Sequence, residues 1–153
     1  MNAPSLILFA TVALVAAPAA VAGECKKIHA EMVEIAATEG CNPPHTSCFL
    51  GEIDGNHGLR GTTHFKADGI GGRPTTSPDF LPYSGPFEYH TATGSLFMRE
   101  TGITDPKVVT AYQQVVDATG EYSGYTGHLF VNGHKLGSGV ISTRITGRLC
   151  RPD

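Results

Sequence analysis

Four side chains stand where they could act on a molecule held inside a β structure: Glu31, Tyr89, Glu100 and Gln113. Each shares strand parity with apolar residues: Glu31 with Val33 and Ile35, Tyr89 with Phe87, Glu100 with Leu96 and Met98, Gln113 with Val109, Ala111 and Val115. In a strand only residues two apart point the same way, so these four are the polar groups that parity would send into a lumen. A carboxyl among apolar neighbours keeps its proton to higher pH than in water, which equips a glutamate as a general acid or as a stabiliser of a cationic intermediate. A structural role competes at Glu100. It precedes Thr101 and Gly102 at a strand end and reads as the partner of Arg99 or another arginine in a rim ion pair, because acids are rarely buried alone. Glu31 depends on an unbulged strand, since one inserted residue would turn it to the other face.

Other chemistries find no support. The seven histidines include no pair at the i, i+2 spacing that would put two imidazoles on one strand face, so no metal is expected. His128 and His134 alternate against Leu129 and Val131 and read as solvent-facing. The chain has no Gly-x-Ser-x-Gly elbow and no phosphate-binding glycine loop before a helix, which excludes hydrolase and nucleotide readings and leaves no expected cofactor.

The elements that must position these residues are strands. No apolar period of 3.6 residues is sustained, whereas short runs of period two recur between glycine and proline turns. The expected strands are Lys26 to Thr38, Phe49 to Asp54, Leu59 to Ala67, Pro86 to Thr93, Gly94 to Gly102, Val108 to Thr119, Tyr125 to Asn132 and Gly139 to Cys150. Gly55-Asn56-His57-Gly58 reads as a hairpin turn, and Asp68 to Gly85, rich in glycine and proline, as a long loop. Eight antiparallel strands are the number at which a small barrel closes around packed side chains or one small ligand. Closure also removes exposed strand edges.

The chain begins with 22 uncharged residues whose run from Leu6 to Ala22 ends in Ala20-Val21-Ala22, the small-x-small pattern of a signal peptide. With Pro18 inside, the run falls short of the ~20 residues of a spanning helix. Residues 23–153 then form a single secreted domain, extracellular or periplasmic, with no membrane attachment after cleavage. Its 11 basic and 14 acidic residues are spread without blocks, which argues against nucleic acid and anionic membranes as partners. The four cysteines, Cys25, Cys41, Cys48 and Cys150, would pair in an oxidising compartment. Of three connectivities, the spacing favours Cys41 with Cys48 around a proline-stiffened loop and Cys25 with Cys150 across the chain ends.

Gly120-x-Tyr122-x-Gly124-x-x-Gly127-x-Leu129 resembles the G-x-G-x-F-x-G-A-x-G-x-L hairpin of the allene oxide cyclase and dirigent families. Leu96-Phe97-Met98-Arg99-Glu100-Thr101, the closing Gly147-x-Leu149-Cys150, and the stretch from Cys41-Asn42-Pro43-Pro44 to Gly61-Thr62 are similar to further segments of these barrels. The resemblance departs at Asp117-Ala118, where those families carry a glycine pair. It implies an all-β, eight-stranded antiparallel barrel of calycin-like form, often a homodimer or homotrimer, and the second parity class of the strands offers Ile28, Met32 and Phe97 as outer-face apolar residues for such contacts. It also implies two functional classes: a barrel that binds a small apolar or aromatic molecule or is purely structural, and a cofactor-independent cyclase or isomerase of oxygenated lipid or polyketide-like substrates or a dirigent-like guide. No catalytic residue transfers by motif, since the likeness falls on scaffold glycines.

Overall fold

The computed structural model describes residues 23–38, 40–41 and 47–151; the leader-like segment and most of the loop between Cys41 and Cys48 lie outside this set. Nine strands follow in chain order: β1 (Cys25–Ala37), β2 (Cys48–Gly55), β3 (Arg60–Lys66), β4 (Gly69–Ile70), β5 (Leu81–Thr91), β6 (Ser95–Thr104), β7 (Val108–Ala118), β8 (Thr126–Gly137) and β9 (Val140–Cys150). The sheet runs β3-β2-β1-β9-β8-β7-β6-β5-β4, and an added β3–β5 pairing closes eight strands into an antiparallel barrel with β4 as an extra two-residue strand. The eight-strand expectation is met.

One expected face is reversed. Ile28, Ala30, Met32 and Glu34 of β1 are buried, whereas Val33 and Ile35 are 48% and 56% exposed. The β1 registers with β2 and β9 run without a break, so no bulge turns the strand. The apolar residues themselves change sides midway. Glu31 therefore points outward, where its carboxylate takes a hydrogen bond from Arg144 Nε at 3.2 Å, and Ile28 and Met32 belong to the core.

The stretch from Asp68 to Gly85 also differs from expectation, because its two ends are strand: Gly69–Ile70, and the start of β5 at Leu81. Proline is tolerated at Pro86 because it falls where β5 changes partners, between Phe87, which faces Phe65 of β3, and Ser84, which faces Gly69 of β4. At Gly85 the backbones come so close that a Cβ would stand 2.0 Å from the Lys66 carbonyl oxygen.

One end of the barrel is sealed. A 3-10 turn over Gly120–Tyr122 carries the buried Tyr122 into the core cluster beside the fully buried Leu59 and Leu96. Gly120, at φ 63°, lets this turn approach Thr93, whose carbonyl oxygen a Cβ would meet at 2.2 Å. The Cys25–Cys150 disulfide joins β1 to β9 at the same end, and Cys41–Cys48 closes a loop at the other. Both pairings are those the spacing favours. Between the ends, Phe87, Leu129 and Ile145 are buried to 2% exposure or less, and each such side chain stabilises the fold by about 1.5–3 kcal/mol.

Candidate functional site at the barrel mouth

The opposite end, open among the described residues, contains a cavity of about 120 Å³ inside the wall. Its apolar sides include Phe65, Val109, Val131 and Ile141, and its polar groups are Glu34, Ser47, Tyr83, Glu100, Thr104 and Lys135. Strand position sets their depth. Glu100 stands mid-strand on β6, four residues below Thr104 at the strand end, so the acids form the floor and Thr104 and Lys135 the rim.

Alternation along β6 and β7 brings Glu100 and Gln113 inward on facing register positions. Gln113 Nε2 donates to Glu100 Oε2 at 2.5 Å, the Tyr83 hydroxyl donates to Glu100 Oε1 at 2.8 Å, and the Tyr89 hydroxyl donates to Gln113 Oε1 at 2.6 Å. Every hydrogen bond in this chain points toward Glu100, an arrangement that suits its carboxylate form. Burial opposes that preference and wins, raising the Glu100 carboxyl to about 7. Arg99 plays no part in it, being turned to the outer wall and paired with Asp68. Both tyrosine hydroxyls are held far above their ordinary range, first by burial and then by Glu100, and remain donors.

Glu34 reaches the same space from β1. Its row across the wall is Glu34, Gly51, Thr63 and Tyr89, each the register partner of the next. Gly51 makes room for it, since a Cβ there would stand 2.9 Å from Glu34 Cγ and 2.6 Å from Thr63 Oγ1. Glu34 is 6% exposed and forms no hydrogen bond or ion pair with the described residues. Burial, with a smaller contribution from Glu100, pushes its carboxyl up to about 8. Both floor acids thus hold their protons to higher pH than an ordinary carboxyl, Glu34 with no donor among the described residues to stabilise its charge and Glu100 with two. Such a pair can donate a proton or hydrogen bond from Glu34 and supply negative charge from Glu100.

Of the four residues that parity selects, the structure brings Tyr89, Glu100 and Gln113 into one buried network and leaves Glu31 outside. Glu34, Tyr83 and Lys135 were missed. Reading the period from Ile28 instead of from Val33 would have found Glu34. Tyr83 was concealed in a segment taken for loop, and Lys135 lies past Asn132, where the strand was expected to stop.

A larger hollow, about 820 Å³, lies on the outer wall over Val33, Ile35, Leu50 and His64. It is an open saddle, and the convergent polar groups are in the smaller lumen cavity. Among the described residues no cluster of histidine, cysteine, aspartate or glutamate could hold a metal ion. His128 stacks on Tyr112 at 5.7 Å on the outer wall. No described helix is long and apolar enough to cross a membrane. The chain matches no protein-family model and no curated protein.

Proposed function

We propose that this chain is a secreted barrel of the allene oxide cyclase and dirigent type that binds one compact, oxygen-bearing apolar or aromatic molecule at its mouth. The observation that carries this reading is the Glu34 carboxyl, on a residue only 6% exposed and without a partner among the described residues, opening onto a cavity with apolar sides. A buried polar group ordinarily has a hydrogen-bond partner, and a ligand oxygen would supply one. Size narrows the class. A dry cavity of roughly 150 Å³ holds a benzene ring, so about 120 Å³ encloses at most one ring or a short chain, with any substituent reaching out through the mouth, and not a whole lipid or polyketide. Secretion is supported by the two disulfides and by the leader-like first 22 residues.

The contrast between Glu34, without a hydrogen-bond partner among the described residues, and Glu100, held by two donors on the same cavity, favours a second reading, a cofactor-independent isomerase or cyclase. Glu34 would protonate an oxygen of the substrate, and Glu100 would stabilise the cation that develops.

Binding is tested by titrating 4-hydroxybenzyl alcohol and following backbone amide shifts. The expected result is saturable shifts at Val109, Val131 and Ile141 that weaken in Glu34→Ala. Shifts confined to the outer wall, or none, would reject the reading. In the enzyme reading, Glu34→Gln abolishes turnover while binding persists.

A further inference from the structure

Lys135 has the same strand parity as the inward-facing Leu129, Val131 and Gly133 of β8. Just beyond it the register with β9 slips, with Lys135 facing Ile141 and Gly137 facing Val140, and Leu136, on the outward parity of Phe130 and Asn132, is 66% exposed. The slip closes the strand with Lys135 as its last inward residue. Its side chain lines the rim of the mouth cavity and has no ion-pair partner within 4.0 Å among the described residues.

The surrounding charges do not account for it. Asp105 is the one group that favours the charged ammonium, while burial disfavours it. Asp105 is already engaged, accepting hydrogen bonds from the backbone N–H groups of Lys107 and Val108 at 2.6 and 2.7 Å. The floor acids exert no resolved pull on Lys135, nor Lys135 on them. One cavity thus has a cation at its rim, apolar walls, and the two acids Glu34 and Glu100 at its floor, away from the rim.

We propose that Lys135 is an anion subsite, and that the ligand class is a compact monocarboxylate whose carboxylate meets the Lys135 ammonium while a neutral oxygen at its far end accepts from Glu34. This rests on the binding reading above and adds the ligand's charge and orientation. Lysine suits such a place as a point charge on a flexible stem that can follow the anion without a fixed fork. A charge-assisted contact in a partly desolvated rim outweighs a neutral one.

The test compares 4-hydroxybenzoate with its neutral analogue 4-hydroxybenzyl alcohol by calorimetry, on the native chain and on Lys135→Met and Lys135→Arg. Native protein should prefer the carboxylate by about tenfold, the ratio of the two affinities should fall to about one in Lys135→Met, and Lys135→Arg should restore most of the preference. Methionine keeps the apolar stem, and an unchanged melting temperature checks that the barrel is intact. If the alcohol binds and the native chain shows no preference, or Lys135→Met keeps it, the subsite is overturned while the binding reading stands. If neither compound binds, both are overturned.

Discussion

Gln113 of β7 and Glu100 of β6 face each other across the strand pair, and the amide donates to the carboxyl at 2.5 Å with both residues buried. Because Tyr89 donates in turn to Gln113, a single amide serves a donor on one side and an acceptor on the other. Replacing Gln113 by Leu leaves the Tyr89 hydroxyl and one Glu100 oxygen unsatisfied. Each orphaned group costs about 1–3 kcal/mol, so Gln113→Leu should lower stability by about 2–6 kcal/mol. Tyr89→Phe should cost less, and the double variant less than the sum, as a denaturant double-mutant cycle would show.

Stability should fall as pH rises from 5 to 8. The Glu34 and Glu100 carboxyls have ordinary values of 4.5 and folded values of about 8 and about 7, so in this window the folded chain holds protons the unfolded chain has released. Their contribution is fully present below about 4.5 and is lost as pH passes the folded values. His64, lowered chiefly by burial, acts in the opposite direction, so comparison with Glu34→Gln isolates the acid. That variant should match the native chain at pH 5 and exceed it at pH 8.5 by a few kcal/mol, on the order the linkage relation gives. Urea melts at the two pH values measure this.

The sealed end offers a redox test. Loop entropy assigns the Cys25–Cys150 bridge about 4–5 kcal/mol and the Cys41–Cys48 bridge about 2.5 kcal/mol, so Cys25→Ser/Cys150→Ser should lower the melting temperature more than Cys41→Ser/Cys48→Ser. Calorimetric melting of the two double variants gives the order.

Gly85→Ala should be poorly tolerated although alanine is small. Its Cβ would stand 2.0 Å from the Lys66 carbonyl oxygen, and relieving that clash moves β5 away from β3 at the transfer to β4. A loss of about 1–3 kcal/mol is expected in denaturant melts, as for other overpacked sites. Gly72→Ala, with no atom within 4 Å of the added carbon, is the control.

The barrel was legible because period-two runs and turn residues are local signals, and Gly120 to Leu129 forms the reversal its glycines suggest. The face of β1 was not. Its first half is apolar toward the core and its second half is apolar toward the outer saddle, where Val33, Ile35 and Leu50 gather, and only the closed barrel decides between them. Glu100 was legible as inward by parity. Its partners were not, because Tyr83 comes from a proline-flanked segment that becomes strand only by pairing with β4 and β6. Lys135 keeps the inward parity of Leu129 and Val131, but it lies past Asn132 in a polar stretch, Gly133-His134-Lys135, that carries no apolar alternation to mark it as strand.

The most direct measurement is a site-resolved carbon-13 titration of the Glu34 carboxyl, with and without saturating 4-hydroxybenzyl alcohol. Burial beside Glu100 predicts a midpoint near 8 in the free protein, rising further when a ligand oxygen accepts from the protonated acid. A midpoint near the ordinary 4.5, or one that the compound does not move, would contradict a ligand site built on Glu34.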